Sequence, residues 1–259
     1  MAMDEAVLEA VGRGDAPPTL RFYGWDPPAL SLGYFQDRER EVDLAGCAAQ
    51  GFDCVRRPTG GRAVLHAEEV TYALVVPETH PGFGGSISET YRAIGEGLAA
   101  GLRRLGVPAE MAPAERRGGW ERSAACFDSP SFYELVVDGR KLVGSAQVRR
   151  FGAILQHGSI LLRFDVDQLL RCLAMAPGSG RERLRRGLVA HVASLEQVLG
   201  RVPGFAEVAA AVAAGMAEAF GVKLVPGELT PAERGRAEEL AREKYAAEAW
   251  NGRRPGQAV

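Results

Sequence analysis

Strand and helix signals are unevenly distributed along this chain, and their order restricts the folds that it can adopt. Before residue 163, short segments of strand character are separated by turns rich in glycine, proline and aspartate. The predicted strands are Thr19–Tyr23, Ala29–Leu32, Asp53–Arg56, Val70–Val76, Phe132–Val137, Lys141–Val143, Ala153–Gln156 and Ser159–Leu162. The Asp138-Gly139 pair between two of them is typical of a hairpin. This order predicts a mixed α and β protein.

Helical periodicity dominates the chain after residue 165. The clearest helix, however, is Ser86–Leu105, with an apolar stripe, Glu89 at capping-box spacing from Ser86, and Gly106 after its end. The other predicted helices are Met3–Val11, Asp43–Gln50, Asp165–Cys172, Gly204–Phe220 and Thr230–Tyr245. A chain of 259 residues can bury a large core, and no boundary forces a division. We predict one domain over 1–259, with a helical C-terminal segment at about 200–250 and a polar tail at 251–259.

The charge balance and the apolar stretches exclude several classes of protein. Thirty-one Lys and Arg against 33 Asp and Glu give a net charge of −2, so there is no overall positive field to attract nucleic acid. Charged residues interrupt the longest apolar stretches, and the first five residues are acidic where a signal peptide is basic. We therefore expect a cytoplasmic protein that binds neither membrane nor nucleic acid. We also expect it to be a monomer.

The four cysteines are Cys47, Cys54, Cys126 and Cys172, and no two of them form a C-x-x-C pair. This spacing favours free thiols over a zinc site or a dense disulfide framework, and we expect no metal. Cys126 lies in the turn-rich segment 123–131 among small residues, where a thiol can be accessible as a nucleophile must be. A buried structural thiol is the alternative.

Two further segments carry residues suited to chemistry. In Arg56–His66 a strand leads into Pro58-Thr59-Gly60-Gly61, where adjacent glycines let a ligand approach main-chain N–H groups and arginines attract anions. A simple tight turn is the alternative. Lys141 follows the Asp138-Gly139 turn among apolar and small residues, and a lysine partly removed from water releases its proton more easily. The alternative is an amine that stays in water.

Taken together, in this order and spacing, these segments resemble the biotinyl/lipoyl protein ligase and transferase family. Arg56–His66 is similar to the family's glycine loop, and Asp138–Gln147 is similar to the strand that carries its signature lysine. Ala125–Leu135 resembles the cysteine segment of the LipM-type octanoyltransferases, which also share Gln156–Ile160. The resemblance extends from the first helix to about Leu199, which is most of the chain.

The resemblance implies a fold and a reaction. The fold is a single α/β (α+β) domain with a largely antiparallel sheet flanked by helices. The reaction moves octanoate from the thioester of acyl carrier protein to a lysine of a lipoyl domain, such as the glycine cleavage H protein. Cys126 would be the nucleophile that carries the octanoyl group, and Lys141 its activating general acid and base. The two protein substrates are then the partners, and no cofactor is needed.

The resemblance also implies binding residues. In the family's scheme Arg57, Gly60, Gly61 and His66 would line the acyl slot or its mouth, and small residues at Gly144, Ser145 and Ala146 would leave room for the chain. Main-chain N–H groups of 60–61 or 144–145 are candidate donors to the oxyanion. His157 would orient substrate or bond a main-chain carbonyl. An arginine cluster would dock acidic carriers or form a solvated face: Arg181, Arg183, Arg185 and Arg186.

Several alternatives remain open at this point. Cys172 follows Lys141, as the nucleophile of the LipB-type octanoyltransferases does, but it lies in an apolar helical stretch that favours core packing. An ATP-dependent lipoate–protein ligase would share the glycine loop and the lysine and would need no cysteine. Such ligases usually carry an added C-terminal domain, and only about sixty residues follow Leu199. An octanoyl amidotransferase acting between lipoyl domains would use the same cysteine chemistry, and a silent acyl-binding protein would need neither Cys126 nor Lys141.

Overall fold

A six-stranded antiparallel sheet forms the centre of the molecule, in a computed structural model that describes residues 1–112, 134–175, 180–254 and 256. Its strand order is β1-β5-β9-β8-β7-β6. The strands of this sheet are β1 Thr19–Tyr23, β5 Glu69–Pro77, β6 Glu110–Met111, β7 Leu135–Val137, β8 Arg140–Arg150 and β9 Ala153–Leu161. The predicted fold, a largely antiparallel sheet flanked by helices, is confirmed.

A smaller sheet of three strands lies beside the large one. Its order is β3-β2-β4, with β2 Ala29–Leu32 parallel to β3 Asp53–Arg56 and antiparallel to β4 Val64–His66. The glycine loop, residues 57–63, connects β3 to β4. The small sheet therefore presents this loop from two strands that are both paired to β2.

Helices cover both faces of the large sheet. Other helices, among them α3 and α5, pack against the small sheet. The described helices are α1 Ala2–Arg13, α2 Arg38–Glu41, α3 Leu44–Ala48, α4 Ile87–Arg104, α5 Val166–Cys172, α6 Arg181–His191, α7 Leu195–Leu199, α8 Phe205–Phe220, α9 Pro231–Leu240 and α10 Glu248–Asn251. One core joins α4 and α8 to the sheet through residues such as Tyr72, Leu98 and Val212, and a second joins α1 to the other side through Leu8 and Leu155. Within the described ranges, no helix is both long and apolar enough to cross a membrane.

The predicted elements agree with the structure in most places. β1, β2 and β3 have the predicted bounds, and α4 begins at the predicted capping box of Ser86 and Glu89. Thr230–Tyr245 divides into α9 and a π-helical turn, Ala241–Tyr245. The predicted strand Phe132–Val137 begins outside the described residues, and its described part is β7.

The prediction of two strands at Ala153–Gln156 and Ser159–Leu162 is wrong, because β9 runs through both. Gly158 stays in the ladder, paired with Tyr72 on one side and Ser145 on the other. A Cβ at this position would lie 2.5 Å from the Gly144 carbonyl oxygen and 2.6 Å from the Tyr72 ring. The glycine therefore permits a close approach within a strand, where the sequence pattern indicated a break.

Candidate active site

Residues of both sheets line one pocket, which we call the central pocket and which holds about 360 Å³ of empty space, part of it open to solvent. Six of the eight residues predicted to bind substrate line it: Arg57, His66, Gly144, Ser145, Ala146 and His157. Other lining residues are Tyr23, Trp25, Ser31, Val64, Thr71, Gly158 and Ser159. The predicted positions, which are up to 100 residues apart in the chain (157 − 57), therefore meet at one cavity.

Three neighbouring strands of the large sheet form one wall of the central pocket. Gly144 of β8 pairs with Ser159 of β9, and Ser159 pairs in turn with Thr71 of β5. Two residues along, Ala146 pairs with His157. Since alternate residues of a strand share a face, Gly144 and Ala146 leave space beside the larger side chains of β9.

The glycine loop is held in shape by Arg57. Its guanidinium donates hydrogen bonds to the carbonyl oxygens of Gly60 at 2.7 Å and Arg62 at 2.8 Å, and to the Ser31 hydroxyl at 3.1 Å. Gly61 has φ +90°, a conformation that favours glycine. Gly60 and Gly61 are absent from the described lining of the pocket. They determine the shape of the glycine loop, since Gly60 accepts a hydrogen bond from Arg57 and Gly61 has a positive φ. The predicted role of their N–H groups stays a prediction.

His66 lies at the centre of a buried hydrogen-bond network beside the pocket. Its Nε2 is 2.8 Å from the Ser31 hydroxyl oxygen, and its Nδ1 is 3.2 Å from a carboxylate oxygen of Glu69. The Trp25 ring stacks on the imidazole at 4.2 Å, and the Trp25 indole donates to Thr71, which itself donates to Glu69. These contacts fix the plane of His66, so the ring forms a rigid part of the wall.

His157, on β9, contacts the glycine loop directly. Its Nε2 is 2.7 Å from the hydroxyl oxygen of Thr59, a loop residue, and its Nδ1 is 3.6 Å from a carboxylate oxygen of Asp4 in α1. Burial lowers the pKa of His157, although Asp4 acts in the opposite direction. The ring is therefore neutral near pH 7, and it connects α1 to the loop.

Lys141 lies on β8, three residues before Gly144 of the pocket wall. The side chain is buried, and its amine donates to a carboxylate oxygen of Glu134 at 2.5 Å. The main-chain carbonyl of Lys141 accepts a hydrogen bond from Ala193 at 2.8 Å. The predicted nucleophile, Cys126, lies outside the described residues, and its pairing with Lys141 stays a prediction.

The three described cysteines do not line the central pocket. Cys172 and Cys47 are both buried in the core beneath the small sheet, as the apolar pattern around Cys172 predicted. A hydrogen bond with Cys47, together with burial, raises the pKa of the Cys172 thiol. Burial raises the pKa of Cys54 to about 11. The thiols of Cys172 and Cys54 therefore stay protonated at neutral pH, which makes these two cysteines poor nucleophiles.

Comparison with known proteins places the chain in a family. Residues 1–217 match the family model of the lipoyl protein ligase A/B catalytic domain. The chain belongs to this family. Octanoyltransferase LipM of Kyrpidia tusciae is 54% identical over 258 residues, covering 98% of this chain and 94% of the relative, and Octanoyltransferase LipM of Symbiobacterium thermophilum is 49% identical with similar coverage. The predicted family is confirmed, and so is the predicted class of enzyme, an acyltransferase.

Solved structures of this family share the fold over the whole chain. A bipartite lipoate protein ligase with its E2 lipoyl domain from Thermoplasma acidophilum aligns with a TM-score of 0.81 and 27% identity, covering 100% of this chain and 92% of that one. Lipoate-protein ligase A bound with ATP aligns with a TM-score of 0.77 and 29% identity, covering 97% and 92%. The lipoyl ligase fold therefore includes the C-terminal helices, which the family resemblance had left unmatched.

Several residues of the site were not predicted from the sequence. Trp25, Ser31, Asp4 and Glu69 contact His66 or His157, and each lies outside the three motif segments. Glu69 is three residues after His66, and this short spacing could have indicated their contact. Asp4 and His157 are 153 residues apart in the sequence (157 − 4), so no local pattern predicts their contact.

Proposed function

We propose that this protein is an octanoyltransferase of protein lipoylation, which moves octanoate from acyl carrier protein to a lysine of a lipoyl domain. The observation that carries the proposal is the match of nearly the whole chain to relatives named Octanoyltransferase LipM, at 42–54% identity. A pocket walled by small residues at Gly144 and Ala146 also supports it, because an eight-carbon chain gains about 0.8 kcal/mol for each methylene buried.

The first half-reaction transfers octanoate to the enzyme. The Cys126 thiolate attacks the carbonyl carbon of the octanoyl thioester, and a new carbon–sulfur bond forms. The bond to the sulfur of the phosphopantetheine arm then breaks, and that sulfur leaves with the proton that Cys126 released. Lys141 is the group that we assign to this proton, since an ammonium beside a thiol favours the thiolate.

The second half-reaction transfers octanoate from the enzyme to its acceptor. The amine of the lipoyl-domain lysine attacks the Cys126 thioester, an amide bond forms, and the cysteine sulfur leaves as a thiolate. The proton released by the attacking amine passes to Lys141 or to the departing sulfur. Conversion of a thioester into an amide has a favourable change in free energy, so this transfer requires no ATP.

The acceptor is a lipoyl-domain protein, and we propose the glycine cleavage H protein as one example. A structurally similar chain comes from an archaeal lipoylation system that comprises a bipartite lipoate protein ligase and its E2 lipoyl domain. The arginines of α6 are our candidate surface for docking acidic carriers: Arg181, Arg183, Arg185 and Arg186. Arg185 is already paired with Asp167, Nε to Oδ1 at 3.0 Å, which leaves it less available than Arg181 at the start of the helix.

An ATP-dependent lipoate–protein ligase is the second candidate, favoured by the full-length structural match to a ligase bound with ATP. The two candidates differ in whether octanoate reaches the enzyme without ATP. An octanoyl amidotransferase differs from both, because its acyl donor is a lipoyl domain and not acyl carrier protein.

The test is intact mass spectrometry of the full chain mixed with octanoyl-acyl carrier protein, without ATP. We expect one octanoyl adduct that hydroxylamine removes, lost in Cys126→Ala and retained in Cys172→Ala. Cys172→Ala is a matched control, because it removes a thiol of the buried core and leaves the pocket untouched. Acylation that requires ATP and free octanoate would favour the ligase instead.

A further inference from the structure

The polar side chains of the central pocket differ in whether they already have hydrogen-bond partners. The Ser145 hydroxyl oxygen is 2.7 Å from the Tyr72 hydroxyl oxygen, and the Tyr23 hydroxyl donates to Asp4 at 2.6 Å. Arg57, His66, Thr71 and His157 are partnered as described above. Ser159 is the exception: its hydroxyl is buried and has no hydrogen-bond partner among the residues that the structure describes.

Ser159 lies where its side chain can contact a ligand bound in the central pocket. It lines the pocket from the C-terminal half of β9, with 1% of its surface exposed. Its neighbour across the β8 ladder is Gly144, which has no side chain that could accept or cover the hydroxyl. Its neighbour on β5 is Thr71, whose hydroxyl is occupied by Trp25 and Glu69. Neither neighbour across the two ladders therefore offers a hydrogen-bond partner to the Ser159 hydroxyl, which lies beside the space of the pocket.

A buried hydroxyl without a partner is unfavourable, and such groups are rare in folded proteins. An octanoyl group has one polar atom, its carbonyl oxygen, and that atom accepts hydrogen bonds. We propose that Ser159 is a substrate-binding residue whose hydroxyl donates to the carbonyl oxygen of the bound acyl group. This inference rests on the proposed function, since it takes the occupant of the pocket to be an acyl thioester.

The same contact would assist transfer. During attack by a thiolate, the carbonyl oxygen gains negative charge, and a donor already in position stabilises that charge more than it stabilises the ground state. Loss of such a donor should therefore lower the rate of enzyme acylation more than it weakens binding of the acyl carrier protein.

The test compares Ser159→Ala with Ser194→Ala in the full chain. Ser194 is a matched control, because it is also a buried serine with 1% exposure and no described partner for its hydroxyl, yet it lies outside the described lining of the pocket. We expect Ser159→Ala to slow single-turnover acylation by octanoyl-acyl carrier protein about tenfold to a hundredfold. Ser194→Ala should stay within about twofold of the wild type, and Ser159→Thr, which keeps the hydroxyl, should recover most of the rate.

A second measurement separates a carbonyl contact from a purely structural effect. An octyl thioether of acyl carrier protein keeps the chain and the sulfur but has no carbonyl oxygen, so Ser159→Ala should leave its dissociation constant unchanged. In the acylated wild type, a ¹³C=O octanoyl group should absorb at lower infrared frequency than in acylated Ser159→Ala, because a hydrogen bond weakens the carbonyl bond.

Each outcome has one reading. If the wild type transfers octanoate and Ser159→Ala transfers it equally fast with an unchanged carbonyl frequency, the inference about Ser159 is overturned while the proposed function stands. Equal loss of affinity for the thioester and the thioether also overturns it, because that result indicates altered pocket shape. A wild type that takes up no octanoate from acyl carrier protein overturns the proposed function itself.

Discussion

At the scale of single residues, the two histidines of the central pocket are held by similar sets of neighbours. Each imidazole lies between a hydroxyl and a carboxylate: Thr59 and Asp4 for His157, Ser31 and Glu69 for His66. Thr59 belongs to the glycine loop, and Ser31 accepts a hydrogen bond from Arg57, which holds that loop. Both histidines therefore connect the loop to the rest of the fold, as well as lining the pocket.

The lowered pKa of His157 predicts a dependence of stability on pH. Burial makes the folded protein bind a proton at this ring more weakly than the unfolded chain does, so unfolding takes up a proton below the ordinary histidine pKa of about 6.5. The free energy of unfolding should therefore be greater at about pH 7.5 than at about pH 5. In His157→Gln, which cannot be protonated, chemical denaturation should give a smaller difference between the two pH values. An equal difference in the variant would contradict this account.

The sequence predicted the residues whose roles are local and missed those whose roles depend on distant contacts. Gly144 and Ala146 follow from a strand of small residues, and His66 and His157 follow from their motifs. Glu134 lies in the segment Ala125–Leu135 and has no role that the sequence predicts, because its contact with Lys141 depends on the pairing of β7 with β8. Trp25 comes to His66 only through the pairing of β2 with β4 and the turn before β2, which no local pattern specifies.

At the scale of elements, α4 and α8 pack closely because glycines face each other. A Cβ on Gly215 of α8 would overlap the backbone of Gly101 of α4. Both helices were predicted from their apolar periodicity, and α4 also from its capping box. Their contact was not predicted, because a pattern of apolar residues does not show where glycines allow two helices to approach each other closely.

Gly215→Ala should therefore destabilise the protein, although alanine normally favours a helix. We expect the free energy of unfolding to fall by about 1–3 kcal/mol, as in other overpacked cores. Gly235→Ala in α9 is the matched control, because a Cβ there would meet nothing within 4 Å. That variant should gain up to about 1 kcal/mol from helix propensity. Urea denaturation of both variants measures whether each substitution raises or lowers the free energy of unfolding. A stabilised Gly215→Ala variant would contradict the close contact between α4 and α8.

At the scale of the whole molecule, Arg56 joins the C-terminal segment to the base of the glycine loop. Its guanidinium is fully buried and donates to the carbonyl oxygens of Gln36 at 2.7 Å, Asn251 at 3.0 Å and Arg253 at 2.9 Å. The sequence indicated an anion-binding arginine at this position. The structure assigns it a packing role instead, because the C-terminal chain returns to the start of the small sheet.

Arg56→Ala should therefore destabilise the protein by about 3–5 kcal/mol, since it leaves buried carbonyl groups without donors. Arg201→Ala is the control, because Arg201 forms an exposed ion pair with Glu207, and its loss should change the stability by less than about 1 kcal/mol. Guanidinium denaturation of the two variants measures the difference. Similar losses in both would argue against the structural role of Arg56.

The proposed reaction requires that Cys126 carry the octanoyl group as a thioester between the donor and the acceptor. The direct measurement is a chase: the wild type is acylated with octanoyl-acyl carrier protein, separated from the donor, and mixed with an unmodified lipoyl domain without ATP. We predict that mass spectrometry will record loss of the octanoyl group from the enzyme and its appearance on the lysine of the lipoyl domain in equal amount. An adduct on Cys126 that remains on the enzyme while the lipoyl domain stays unmodified would contradict transfer through this cysteine.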